Sequence, residues 1–249
     1  MNSKKLNGEV LLWTALVLIL SSLCYLPMIF ERKGIHISQV LLDLKYLFVT
    51  IPFAVSISFT LKHGQFKTWF WALFAERVKF QAILSCMILG SVGVSFSVMY
   101  CMIVGDKSLF TSSYPTAAAV VMNCSYLFVT ASIEEIAWRG FLLNRIAAAK
   151  GKRVALVYVG MVWAIWHIPM WTVRNLLEFE EVFLYFMWTM LVSFVLGMLF
   201  YRYKNILIVS MAHMVFNTCF ITPVEYSFIL LGCSLIILAF IFNIEIDTV

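Results

Sequence analysis

Ala131-Ser-Ile-Glu-Glu-Ile-Ala-Trp-Arg-Gly140 is the stretch on which the reading of this chain turns. It closes a long apolar run with two adjacent carboxylates, Glu134 and Glu135. Arg139 follows Glu135 by four residues, one helical turn on the same face, so the two can pair. Glu134 is offset by about 100° round the helix and is free to point elsewhere. A carboxylate in a membrane helix, at a position Leu would fill at no cost, marks a candidate functional site. The competing account makes Glu134, Glu135 and Arg139 an interfacial salt-bridge cluster at a helix end. On this stretch alone the two accounts stand level.

The surrounding composition sets the class. The 249 residues are 63% hydrophobic and 12% charged, with a mean hydropathy of +0.94. Soluble domains carry roughly 25% charged residues. The fold class expected is all-α, a polytopic transmembrane helix bundle. No polar segment is long enough to fold apart, so residues 1–249 are expected to form a single membrane domain. The net charge of +5 is split among short loops. It therefore reads as a topology signal and not as a nucleic-acid footprint. Membrane lipids are the expected partners, with Arg145, Lys150, Lys152 and Arg153 meeting anionic head groups. The six cysteines show no CxxC spacing and read as small buried hydrophobes, with no disulfide framework and no zinc knuckle. Lys4 and Lys5 precede an apolar run too long for a signal peptide, so a retained first span is expected.

Eight apolar runs predict eight helices: Val10–Phe30, Tyr46–Leu61, Phe80–Val104, Ala117–Trp138, Val154–Val173, Val182–Tyr201, Ile206–Ile221 and Tyr226–Asn243. The second and seventh lie near the lower length limit for a span. With the N-terminus inside, thirteen Lys and Arg fall in inner loops and five in outer ones, which places both termini in the cytoplasm. Phe66–Lys79, with four large aromatics beside three basic residues, reads as an interfacial amphipathic helix. Arg139–Lys152 reads as an extension of the fourth helix into the cytoplasm, ended by Gly151.

Two histidines stand inside these runs. His167 lies about 20 Å beyond Val154 in the fifth helix. His213 lies in the seventh, and Asn217 shares its face at i+4. A single His in a membrane helix is most simply an interhelical hydrogen bond. Glu134, His167, His213 and Asn217 together, on three helices, are most cheaply accommodated in one interior cavity. His36 and His63 fall in loops, with no role expected. A carboxylate and an imidazole can deprotonate a water, and a second His with an Asn amide can donate to a developing oxyanion. That is a kit for amide hydrolysis without a covalent intermediate. HExxH and GxSxG are both absent. On ligand types alone, a metal held by Glu134, His167 and His213 stays open. So does a proton relay in a small transporter.

Three motifs in order, Glu134-Glu135-x-x-x-Arg139, Trp163-x-x-x-His167 and His213-x-x-x-Asn217, resemble those of the CAAX protease and bacteriocin-processing family, also called the Abi family. Its eukaryotic and archaeal members are the Ras-converting type CAAX endopeptidases. Gly197–Arg202 leading through Asn205 also looks like that family. The resemblance runs over roughly Val129–Asn217, within a family-like core of about 117–222. It implies an eight-helix glutamic-type intramembrane endopeptidase with a cavity open to the cytoplasmic side. It further implies Glu134 as general base, His167 as its helper in positioning water, and His213 with Asn217 as oxyanion hole. Glu135 and Arg139 become supporting residues, and no cofactor or metal is called for. Trp163 stands where the family usually has Phe, and a packing role is expected of it. By analogy the substrate is a peptide or lipidated peptide tail, and the setting a bacterial cytoplasmic membrane. The alternative of another class is a non-catalytic scaffold or bacteriocin self-immunity protein of the same fold.

Overall fold

A computed structural model describes residues 3–104 and 116–219. The described residues form helices only. They comprise α1 (Ser3–Leu23), α2 (Leu26–Arg32), α3 (Gln39–Leu42), α4 (Ile51–Lys62), α5 (Phe66–Ala72), α6 (Phe80–Val104), α7 (Ala117–Glu135), α8 (Asn144–Lys150), α9 (Lys152–Pro169), α10 (Phe179–Tyr203) and α11 (Ile206–Cys219). A 3₁₀ stretch, Asp43–Thr50, leads into α4. π-helical stretches, Ile136–Leu143 and Met170–Arg174, continue α7 and α9. Five stretches are long and apolar enough to cross a membrane: Leu6–Arg32, Gln39–Lys62, Ala117–Lys150, Lys152–Arg174 and Phe179–Tyr203. The chain is an integral membrane helix bundle. The expected eighth helix, Tyr226–Asn243, lies outside the described residues.

Within the described residues the other expected runs are helical, with three changes, and Phe80–Val92 and Ile206–Thr218 are shorter than the five candidate spans. The first breaks after Leu23, because Pro27 cannot donate to the Leu23 carbonyl and its ring crowds that group. The second begins at Gln39 and takes in Asp43 and Lys45, with Pro52 tolerated in the first turn of α4. The amphipathic helix is shorter than expected. It ends at Ala72, where the Leu73 carbonyl accepts from Ile206 N–H at 2.9 Å and the Glu76 carbonyl from Asn205 Nδ2 at 2.6 Å. These bonds tie the segment to the head of α11. Trp71 stays 68% exposed, while Trp69 turns inward and donates to the Gly140 carbonyl at 2.9 Å.

The core is aromatic. Trp13, Trp138 and Trp166 meet edge to face at 5.3 and 5.5 Å, and Phe48 stacks on Trp166 at 3.9 Å. Buried indoles need acceptors. Trp13 finds Ser56 Oγ at 3.1 Å and Trp166 finds Ser21 Oγ at 2.8 Å, which locks α1 to α4 and to α9. α9 and α10 pack closely, since a Cβ on Gly197 would strike Leu156.

The two ends of the bundle differ. One gathers the Glu9–His63 pair at 3.1 Å, Arg145 near Glu9, and Lys150 and Asn7 lining one small cavity. His63 is thus engaged, contrary to expectation. The other end joins α2 to the Met170–Arg174 stretch, where Arg174 reaches the Tyr25 hydroxyl.

Candidate active site

Glu134 and Glu135 leave α7 on different sides, as their one-step offset requires. Glu134 Oε2 accepts the indole N–H of Trp163 at 3.1 Å. Glu135 is fully buried, and its Oε1 accepts from Arg139 Nη1 at 2.8 Å. The same oxygen meets His213 Nδ1 at 2.8 Å, so His213 is anchored by Glu135 rather than by Glu134. Arg139 is itself fully buried, and its Nη2 donates to Ser193 Oγ at 2.9 Å. A buried guanidinium needs such company, because breaking a buried pair leaves an uncompensated charge.

His167 Nδ1 lies 2.8 Å from the Trp163 carbonyl oxygen. A carbonyl only accepts, so Nδ1 carries the proton and Nε2 is the nitrogen left for other work. Its ring stacks on Trp171 at 5.4 Å. Trp163 is the hub of the group. Its ring meets His167 edge to face at 5.0 Å and His213 at 5.3 Å, and the Arg139 guanidinium lies 4.8 Å from its centroid.

Glu134, Trp163, His167, His213 and Asn217 all line one cavity of about 320 Å³. The four candidate catalytic residues are therefore brought together, from α7, α9 and α11. Glu135 and Arg139 sit behind them as support. The remaining wall is largely aromatic, with Trp171, Tyr185, Trp188 and Phe216. Sequence reasoning did not find Ser193 or this wall, for neither carries a charge to mark it in an apolar run. Among the described residues no group of three His, Cys, Asp or Glu side chains converges as a metal site. In a site of this size, a substrate carbonyl can meet a carboxylate, two imidazoles and an amide together, which suits hydrolysis by an activated water.

Residues 116–219 match the family model described as type II CAAX prenyl endopeptidase Rce1-like. Over that segment the chain is similar to the Rce1-like family. The match begins at the N-cap of α7 and ends with α11, so it spans every residue of the cavity's polar set. The match supports a membrane endopeptidase at the level of the family. No curated protein is similar enough to the chain to match it.

Proposed function

We propose that the chain is an intramembrane endopeptidase that cuts a peptide bond with water activated by Glu134 and His167, without a covalent intermediate. The observation that carries this reading is the shared cavity of Glu134, His167, His213 and Asn217. Water oxygen attacks the substrate carbonyl carbon as Glu134 takes the water proton. His167 Nε2 accepts from the same water and orients it. The oxyanion is held by the Asn217 amide and by His213 Nε2–H. That donor exists when the His213 ring carries both protons, and Glu135 Oε1 is then the partner of its charge. The C–N bond breaks, and Glu134 returns its proton to the leaving amine. Residues 1–249 act as a single membrane domain with a core of about 117–222. The setting is a bacterial cytoplasmic membrane with both termini in the cytoplasm, and the substrate is a peptide or lipidated peptide tail.

The experiment is cleavage of lipidated and unlipidated peptides in detergent or liposomes, comparing wild type with Glu134→Gln and His213→Ala, with and without chelator. Activity lost in both variants and indifferent to chelator supports the reading. Activity lost on chelation replaces it with a metal-dependent hydrolase. A Glu134→Gln variant that keeps full cellular function makes the scaffold or immunity protein the better account.

A further inference from the structure

One wall of the cavity is a single face of α10. Tyr185, Trp188, Thr189 and Val192 line it, at the i, i+3, i+4 and i+7 positions of a helix. Thr189 stands about 15 Å into the Phe179–Tyr203 span. Only 7% of it is exposed, yet its hydroxyl bonds to no described residue. The other buried serines and threonines among the described residues are all engaged. Ser56, Thr60, Ser85 and Ser210 donate to the carbonyl four residues back, while Ser21 accepts from Trp166 and Ser193 from Arg139. Nor is the Thr189 oxygen sealed in as the Tyr201 hydroxyl is, so what exposure it keeps faces the cavity.

A Thr inside an apolar helix ordinarily gives its proton to the carbonyl one turn back. Thr130, elsewhere in the same lining, does so, to the Tyr126 carbonyl at 3.0 Å. Thr189 keeps its proton, so what it offers the cavity is a donor. Its place is fixed from two sides. One turn on, Ser193 Oγ accepts from Arg139 Nη2 at 2.9 Å. α9 lies close against it, for a Cβ on Gly160 would come 3.5 Å from the Met190 carbonyl oxygen and 3.8 Å from Ser193 Cβ. The wall around the hydroxyl is largely aromatic, with Trp171, Tyr185, Trp188 and Phe216. A peptide entering it brings carbonyl oxygens that give up water, and each then needs a donor. We infer that Thr189 is a substrate-binding residue, whose hydroxyl donates to a backbone carbonyl oxygen beside the scissile bond. This rests on the endopeptidase reading, in which the scissile carbonyl itself goes to Asn217 and His213. The substrate class is a peptide held by its backbone on α10, with apolar side chains against the rings.

The test compares Thr189→Val, which keeps the shape and drops the hydroxyl, with Thr189→Ser, which keeps the hydroxyl. A hydroxyl with no partner in the protein is dispensable to the fold, so Thr189→Val is expected to hold or raise Tm in detergent. On the lipidated and unlipidated peptides of the cleavage assay, its KM should rise about threefold to tenfold, the loss of one neutral hydrogen bond. Its kcat should stay within about twofold, because the bond is made in ground state and transition state alike. Thr189→Ser should restore KM. Binding is read apart from cleavage, by fluorescence anisotropy of the same peptides on Glu134→Gln, with and without Thr189→Val, and Kd should differ by the same factor. Replacing the flanking amides by esters one at a time weakens one carbonyl acceptor each. One such ester should cost Glu134→Gln affinity and cost the Thr189→Val background none. A fall in Tm for Thr189→Val overturns the inference by making the hydroxyl structural. Equal Kd with and without the hydroxyl, or peptides that bind neither protein, overturn it as well. So does a loss in kcat with KM unchanged, which would put the hydroxyl on the oxyanion. Wild type that binds these peptides and cuts none would sink the endopeptidase reading and leave the Kd comparison to decide the role of Thr189.

Discussion

The indole N–H of Trp163 donates to Glu134 Oε2 at 3.1 Å while the Arg139 guanidinium lies 4.8 Å from the centroid of the same ring. One side chain thus orients the proposed base and shields the buried cation behind it. The ring alone accounts for the second task, and a Phe would perform it. The N–H accounts for the first, and a Phe has none.

Trp163→Phe is therefore expected to lower kcat about tenfold or more, since a hydrogen bond to a charged group contributes roughly 1.5–3 kcal/mol. KM should stay within a small factor, because the indole N–H meets the base and not the substrate. Steady-state kinetics on one peptide decide this. An unchanged kcat would return Trp163 to a packing role alone.

Glu134 and Glu135 should separate activity from stability. Glu135 Oε1 receives both Arg139 and His213 in a site with no solvent exposure. Glu135→Gln leaves the guanidinium without its counter-charge, and removing one partner of a buried pair costs about 3–5 kcal/mol. Its Tm in detergent should fall sharply. Glu134 faces the cavity, so Glu134→Gln should abolish turnover and leave Tm near that of wild type. Equal losses of Tm in both variants would contradict the division of roles between the two carboxylates.

These paired roles were only half legible in the sequence. The i,i+4 spacing of Glu135 and Arg139 survives into the structure because the π stretch begins at Ile136 and still leaves the two side chains on one face. The convergence of Glu134, His167, His213 and Asn217 was legible because polar groups in lipid have few other places to go. The pairing of His213 with Glu135 was not, since it depends on how α11 is rotated against α7. The hydrogen bond from Trp163 was missed because a Trp in an apolar run looks like packing. Spans were read from hydropathy, and their errors fall where Pro27 breaks the first and where the 3₁₀ stretch before Pro52 lengthens the second. The inward turn of Trp69 had no periodic signal, for it rests on one carbonyl 71 residues away.

Gly197 carries a steric prediction. α9 comes so close that a Cβ at this position would strike Leu156, which is buried and has little room to move. Overpacking of this kind costs about 1–3 kcal/mol. Gly197→Ala is expected to lower Tm, and adding Leu156→Ala to it should recover part of the loss. A Tm for Gly197→Ala equal to wild type would mean that the two helices separate at no cost.

The last prediction concerns the π stretch that carries Arg139. Two side chains converge on the Gly140 carbonyl oxygen: Trp69 Nε1 at 2.9 Å and Asn144 Nδ2 at 3.1 Å. Either alone can satisfy a buried acceptor, and an acceptor with neither costs about 1–3 kcal/mol. Trp69→Phe and Asn144→Ala should each lower Tm slightly, and the double variant should lose more than the sum, because residues sharing one partner are not additive. The same double variant should lose activity disproportionately, since Gly140 adjoins Arg139 and a shift there moves the cation that holds Glu135. Strict additivity in Tm would show that the two donors act on independent features and that α5 merely lies beside the site.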